Sequence, residues 1–246
     1  MMLQQIVKYI NLLFLLLLVS SLATFVLINF NPYLLDSLFK VKNIKIIGSE
    51  KTNPYKLKQI LSSNLDNLIT LDKDLTKSLL EEVGWVKRVS IKKVYPNTLS
   101  INIVESDPFA IFYNDQDIFL IDIDGEIISF NPDINKYKSL LTIRGEKADV
   151  KLSEIIKEIN INFPELKNKV NGLEFVDKRR WNLILSSNLL VKLPDTAINE
   201  SLKNLKKLFD DNQIIDSNII EVDLRIKGRA VIKVDGEQIR FGLEEV

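Results

Sequence analysis

Asp122, Asp124 and Glu126 set three carboxylates around Gly125, and clustered carboxylates are the ligands that hard cations take. A full calcium loop needs a third acidic position before the glycine and a bidentate Glu six residues after it. Phe130 stands near that second position, and apolar runs flank the turn, so the segment reads as an Asp-Gly hairpin tip. Glu81-Glu82, Asp210-Asp211 and Glu244-Glu245 are paired carboxylates of the kind acid/base chemistry uses. Sequence neighbours on a helix do not face each other, so these pairs read as solvated faces or tails. Ser20-Ser21 and Ser186-Ser187 have no histidine to activate them, which leaves a Ser-Lys dyad as the one nucleophilic arrangement still open. The chain has no His and no Cys, so the commonest general base, thiolate catalysis, disulfides and Cys/His metal sites are all absent. With eight glycines and no Gly-rich phosphate loop, no cofactor, metal or catalytic residue is expected. Thirty-three basic residues balance thirty-three acidic ones, so no global positive field draws nucleic acid.

Recognition chemistry is better represented. Arg179-Arg180-Trp181 places two guanidiniums beside an indole, a composition enriched at interface hot spots. Two readings stand together there: a partner site, or a core Trp181 with locally paired arginines. Val222-Asp223-Leu224-Arg225, followed by Ile226, Lys227, Gly228, Arg229, Ala230 and Val231, reads as a late strand with basic ends and a glycine kink. Such a strand at a sheet edge offers unpaired backbone to a partner strand. A routine last strand with a cation guarding its edge fits the same residues.

The elements that must position these residues begin with a sharp compositional split. Lys8 is the only charge before Asp36, and residues 9–35 are uncharged and mostly apolar. About 20 such residues cross a bilayer as a helix. Ser21 and Ala23 are placed for signal cleavage, but the apolar run continues through Phe25, Val26, Leu27, Ile28 and Phe30. That continuation favours an uncleaved transmembrane helix over residues 9–30 behind a short tail, 1–8, with Tyr9, Phe30 and Tyr33 at the interfaces. Lys8 argues for a cytoplasmic N-terminus, whereas Lys40, Lys42 and Lys45 pull the other way, so charge alone leaves the sidedness open.

Residues 41–108 read as strand, helix, helix, strand, strand. Asn53-Pro54 and Asp72 are helix starts, and the second helix carries Leu75, Leu79, Leu80 and Val83 as its apolar stripe, with Gly84 ending it. Tyr95-Pro96-Asn97-Thr98 turns between two alternating strands. Residues 109–242 change to short strands: 109–113, 118–122, 126–130, 173–177, 181–185, 189–193, 219–224, 230–234 and 238–241. Helices over 153–163 and 197–212 interrupt them, and Asp235-Gly236 joins the last two strands. The expected class is α+β: one N-terminal transmembrane helix, a βααββ domain, then a mixed β domain with flanking helices.

The order of these pieces resembles the FtsQ/DivIB family of bacterial cell-division proteins. Val41-x-x-Ile44-x-Ile46-x-Gly48, Gly84-Trp85-Val86, Tyr95-Pro96-Asn97-Thr98-Leu99 and Val104-Glu105-Ser106-Asp107-Pro108-Phe109-Ala110 resemble the family's POTRA-type domain and its junction. Arg179-Arg180-Trp181-Asn182-Leu183, Leu193-Pro194 and Val222-Asp223-Leu224-Arg225 resemble landmarks of its β domain. The resemblance implies a single-pass type II inner-membrane protein with its N-terminus in the cytoplasm and its bulk in the periplasm. It implies a non-enzymatic scaffold at the division septum that binds FtsB-like and FtsL-like partners through a C-terminal edge strand. On that reading Arg225, Ile226, Lys227, Gly228, Arg229, Ala230 and Val231 form the edge, with Arg179 or Arg180 nearby for acidic partner residues. Ile226 stands where relatives often carry an aromatic. A POTRA-bearing transport or outer-membrane assembly factor is the alternative, although only one POTRA unit is readable. The strands after Phe109 also lack the rhythm of a membrane barrel.

Overall fold

The computed structural model describes residues 2–30, 32–114, 117–210, 219–234 and 237–242. Contacts divide the chain into two compact units, Met1–Glu105 and Ser106–Val246. The first opens with α1 (Met2–Phe30), an apolar helix in which Gln5–Val26 is long and apolar enough to cross a membrane. The helix reaches back through most of the expected eight-residue tail. After one residue comes α2 (Pro32–Phe39), about two turns of helix that no sequence signal announces.

β1 (Asn43–Ile47), α3 (Pro54–Asn64), α4 (Lys73–Glu81), β2 (Val86–Val94) and β3 (Thr98–Glu105) follow in the expected βααββ order. Local chemistry sets their limits. The Asn53 side chain accepts from Tyr55 N–H with Pro54 at the first helical position, and Asp72 accepts from Asp74 and Leu75. The strands form one sheet in the order β1-β3-β2, with β1 parallel and β2 antiparallel to β3. Leu57, Leu61, Leu80, Val89, Leu99, Ile101 and Ile103 fill its core. Two details of α4 depart from the expected stripe. Leu75 is exposed while Thr76 is buried, and the Thr76 hydroxyl donates to Asp72 C=O, so a polar residue takes a core position by satisfying its own turn. The helix stops at Glu81, before Gly84, with the Glu82 N–H closing back on Ser78 and Leu80.

The second unit is built on one mixed sheet of ten strands. They are β4 (Ala110–Asn114), β5 (Asp117–Ile121), β6 (Ile127–Phe130), β7 (Leu141–Arg144), β8 (Val170–Val176), β9 (Arg180–Leu185), β10 (Leu190–Lys192), β11 (Ile219–Asp223), β12 (Arg229–Val234) and β13 (Glu237–Gly242). Their spatial order is β13-β12-β11-β10-β9-β8-β7-β4-β5-β6. β7 is absent from the sequence reading, yet it pairs in parallel with both β4 and β8 and joins the two halves of the sheet. Gly145 follows it at φ +107, where a Cβ would collide with the Phe175 carbonyl. Helices α5 (Ala148–Asn162) and α6 (Ile198–Asp210) bury Leu152, Ile155, Ile159, Leu202 and Leu205 in a core shared with Trp181, Leu183, Val191 and Val222. α5 starts five residues before the expected 153 because Lys147, in the left-handed region and without a side-chain cap, opens it.

Candidate functional site

The register of the larger sheet gathers the expected recognition residues at one rim. Val176 pairs with Arg180 across the β8–β9 hairpin, Leu193 N–H donates to Trp181 C=O, and Leu224 N–H donates to Lys192 C=O. Asp223 in turn pairs with Val231. The start of β9, the ends of β10 and β11 and the start of β12 are therefore neighbours. Strands about 4.8 Å apart put the backbone at Arg180 roughly 10 Å from that at Arg225, two strands away.

Most of the rim's charge is already engaged by the chain itself. Arg180 Nη2 lies 3.0 Å from Asp177 Oδ2, and Arg179 reaches the same carboxylate at 4.0 Å. Trp181 is buried and stacks on Phe175 with ring centroids 4.7 Å apart, which makes the indole a core residue. Arg225 closes on Asp223: Nε donates to Oδ1 at 2.9 Å and Oδ2 at 3.0 Å, Nη2 donates to Oδ2, and the Arg225 N–H donates to Oδ1. Burial pushes the Asp223 carboxyl up, but these Arg225 bonds and the Arg225 and Lys192 charges outweigh it, and its pKa lies below the usual range. Hydrogen bonding to Asp223 holds the guanidinium above its ordinary value.

Residues 225–228 form the turn between β11 and β12, and only Arg229, Ala230 and Val231 of the expected edge are in a strand. That strand corrects the expectation. β12 pairs with β11 on one side and with β13 on the other, and Ala230 is fully buried. Ladder groups on both sides of β12 are thus taken up within the sheet. Gly228 sits at φ +70 in the turn, Arg229 N–H donates to Ile226 C=O, and the Ile226 side chain is exposed. Beside the turn runs a cleft of about 530 Å³ between the β10–α6 connection, α6 as far as Lys207 and residues 224–229. Lys203, Lys207, Arg225, Lys227 and Arg229 line it against Asp195 and Glu200, so its lining is cationic on balance.

The two ends of the sheet are β6 and β13. β13 pairs with β12 over Arg229↔Gly242 to Val234↔Glu237, and no strand among the described residues pairs on its outer side. The sequence carried the signal for this: Asp235-Gly236, itself outside the described residues, joins two strands as a hairpin, and a strand so joined has a neighbour on that side. The α6 side of the cleft gave no such signal. At the other expected site, the Asp122 side chain accepts from Asp124 and Glu126 N–H at 2.9 and 3.1 Å, holding a hairpin tip of the expected kind. Asp211, Glu244 and Glu245 lie outside the described residues.

A profile described as "Cell division protein FtsQ/DivIB, C-terminal" matches residues 110–225, and one described as "POTRA domain, FtsQ-type" matches residues 39–106. The cell division protein FtsQ of Rickettsia felis is 30% identical over 196 residues, covering 79% of this chain and 72% of that protein. The chain belongs to the FtsQ/DivIB family. FtsQ of Rickettsia bellii is 31% identical over a stretch covering 79% of this chain and 72% of its own length. FtsQ of Rhizobium meliloti is 28% identical over 203 residues, 82% of this chain, and the match spans 65% of that relative's length. Within the family frame the βααββ unit is the POTRA domain, and the FtsQ/DivIB C-terminal match covers β4 to β11 of the ten-stranded sheet, ending before β12 and β13. FtsQ/DivIB membership favours a cell-division role over the transport or outer-membrane assembly alternative.

Proposed function

We propose that this chain is a non-enzymatic, membrane-anchored scaffold of the bacterial divisome. It works at the septum from the inner membrane, with its N-terminus cytoplasmic and its two units periplasmic. It holds FtsB-like and FtsL-like partners by strand addition at the C-terminal end of the ten-stranded sheet. The observation that carries this reading is that end itself: β13 closes the sheet with its outer side unpaired by any described strand, and a row of free N–H and C=O groups is a template for an added strand. The Arg225–Arg229 turn and its cationic cleft stand at the same rim. In this reading they receive acidic side chains of the partner, with Arg225 exchanging Asp223 for a partner carboxylate and Arg179 and Arg180 extending the positive rim. Ala230 and Val231 act through β13, which they pair.

Co-purification of the full chain with FtsB-like and FtsL-like proteins tests the reading. Truncation after Val234 removes β13 and is expected to abolish capture, and Arg225→Glu is expected to weaken it. Undiminished capture by a truncated chain that still unfolds cooperatively would move docking away from this edge.

A further inference from the structure

Lys40, Lys42 and Lys45, which follow the apolar helix and oppose a simple charge rule for its orientation, have no part in the scaffold described above. The fold gathers them with a fourth cation. Lys45 pairs with Ser100, and Ser100 with Lys92, in one row across the three-stranded sheet. In β3, Leu99, Ile101 and Ile103 face the helices as buried core, so Ser100 and its row mates occupy the opposite, uncovered face. Lys40, Lys42, Lys45 and Lys92 are all exposed, and none of their ammonium groups enters an ion pair or side-chain hydrogen bond among the described residues. The Asp36 carboxylate accepts from Asn67 Nδ2 at 2.9 Å, and Asp66 C=O accepts from Val41 N–H.

The membrane-spanning helix fixes where this cluster sits. One residue separates α1 from α2, and α2 is docked on the POTRA unit rather than loosely tethered. Asn67 bonds Asp36, Leu68 N–H donates to Phe39 C=O at 2.9 Å, and Phe39 meets Tyr95 edge-on at 5.7 Å. Lys42 N–H and Asn43 N–H both donate to Asn97 C=O, so the start of β1 and the Tyr95–Thr98 turn form the end of the sheet next to the anchor. Lys45 and Lys92 are two rows in from that end, behind the Asn43–Thr98–Val94 and Ile44–Leu99–Lys93 rows. Charge follows the same division: residues 41–105 hold 11 basic and 7 acidic side chains, whereas residues 106–246 hold 20 and 25.

We propose that the anchor-proximal end of the POTRA sheet, through Lys40, Lys42, Lys45 and Lys92, rests on the anionic headgroups of the bilayer that α1 crosses. Polybasic segments next to a membrane helix are attracted to anionic lipid over about a Debye length. Here α2, eight residues long and docked on the POTRA unit, ties the cations to the helix that enters the bilayer. The contact orients the POTRA unit on the bilayer and depends on lipid charge. It rests on α1 crossing the membrane and on no partner protein.

The absence of native cysteine makes single-cysteine labelling clean. The full chain with Val94→Cys, on the uncovered face beside Lys92, is labelled with a fluorophore and inserted into nanodiscs carrying a headgroup nitroxide quencher. Discs of phosphatidylcholine are compared with discs also containing phosphatidylglycerol. Quenching is expected with phosphatidylglycerol at low salt. It should be lost at high salt, in phosphatidylcholine alone, and in the Lys40→Glu, Lys42→Glu, Lys45→Glu, Lys92→Glu variant. A Glu50→Cys label, roughly 20 Å along the strands at the far end, should stay unquenched throughout. Equal quenching of the Val94 label in both lipids, or none in either, overturns the proposal. So does a chain that alkaline carbonate strips from the lipid, which removes the anchor itself.

Discussion

The uncovered faces of the two sheets use charge in opposite ways. On the ten-stranded sheet, Asn182 Nδ2 donates to Glu174 across the β8–β9 pair at 2.9 Å, Lys192 Nζ lies 2.7 Å from Glu221, and Arg225 is closed on Asp223. On the three-stranded sheet, Lys45 and Lys92 flank Ser100 with no carboxylate in their row. Polar groups of the first kind hold a sheet together, and removing one leaves a half-buried partner behind. Groups of the second kind give the fold almost nothing, because exposed cations are fully hydrated. Their use lies outside the chain. Both faces look merely hydrophilic in sequence, and only the register separates them.

The largest expected difference is in packing. Trp181→Ala empties the space beside Phe175 and should destabilise the larger unit by about 3–5 kcal/mol. Unit-resolved hydrogen exchange should show the POTRA unit unchanged. Next, Lys192→Met should lower the stability of the larger unit by about 1–2 kcal/mol, because Glu221 keeps its charge and loses its partner. Adding Glu221→Leu should recover most of that loss. On the other sheet, Lys92→Met should alter denaturation by no more than about 0.5 kcal/mol, and a loss comparable to that of Lys192→Met would erase the contrast between the faces.

A smaller effect concerns acid. Burial raises the Glu105 pKa, but the Thr52 hydroxyl and the Lys51, Thr52 and Glu50 N–H groups more than compensate, so it lies below the usual range. Asp223 is lowered as well. A carboxylate held below its unfolded value adds stability that is complete above the unfolded pKa and disappears as pH falls through the folded one. Both units should therefore weaken below about pH 4, the ordinary carboxylate range. Glu105→Gln should flatten that dependence in the POTRA unit alone, and Asp223→Asn in the larger unit alone.

Elements whose ends carry their own chemistry were readable from sequence. Asn53-Pro54 and Asp72 cap the helices they announce, and alternation along β2, β3, β9 and β12 marks a covered and an open side. What escaped reading depends on partners distant in the chain. β7 is four residues long and is a strand only because β4 and β8 flank it. α2 is held by Asn67 and Tyr95, and α5 begins at an uncapped lysine. At the candidate site, the arginines were identifiable by type and their common rim was not, since it follows from the register of five strands. The interior place of β12 was implied by a hairpin signal, yet its neighbour β13 became the edge only once the whole strand order was known. Gly228→Pro accordingly acts on the turn, through a φ of +70 that proline cannot adopt, rather than on a ladder.

Site-specific photo-crosslinking in the native membrane tests the scaffold mechanism most directly, with a crosslinking residue at Gln238 in β13 and, separately, at Ser129 in β6, the opposite edge. Capture of an FtsB-like partner from Gln238 and not from Ser129 is the predicted result. Capture from Ser129 with none from Gln238 would contradict docking at the C-terminal edge.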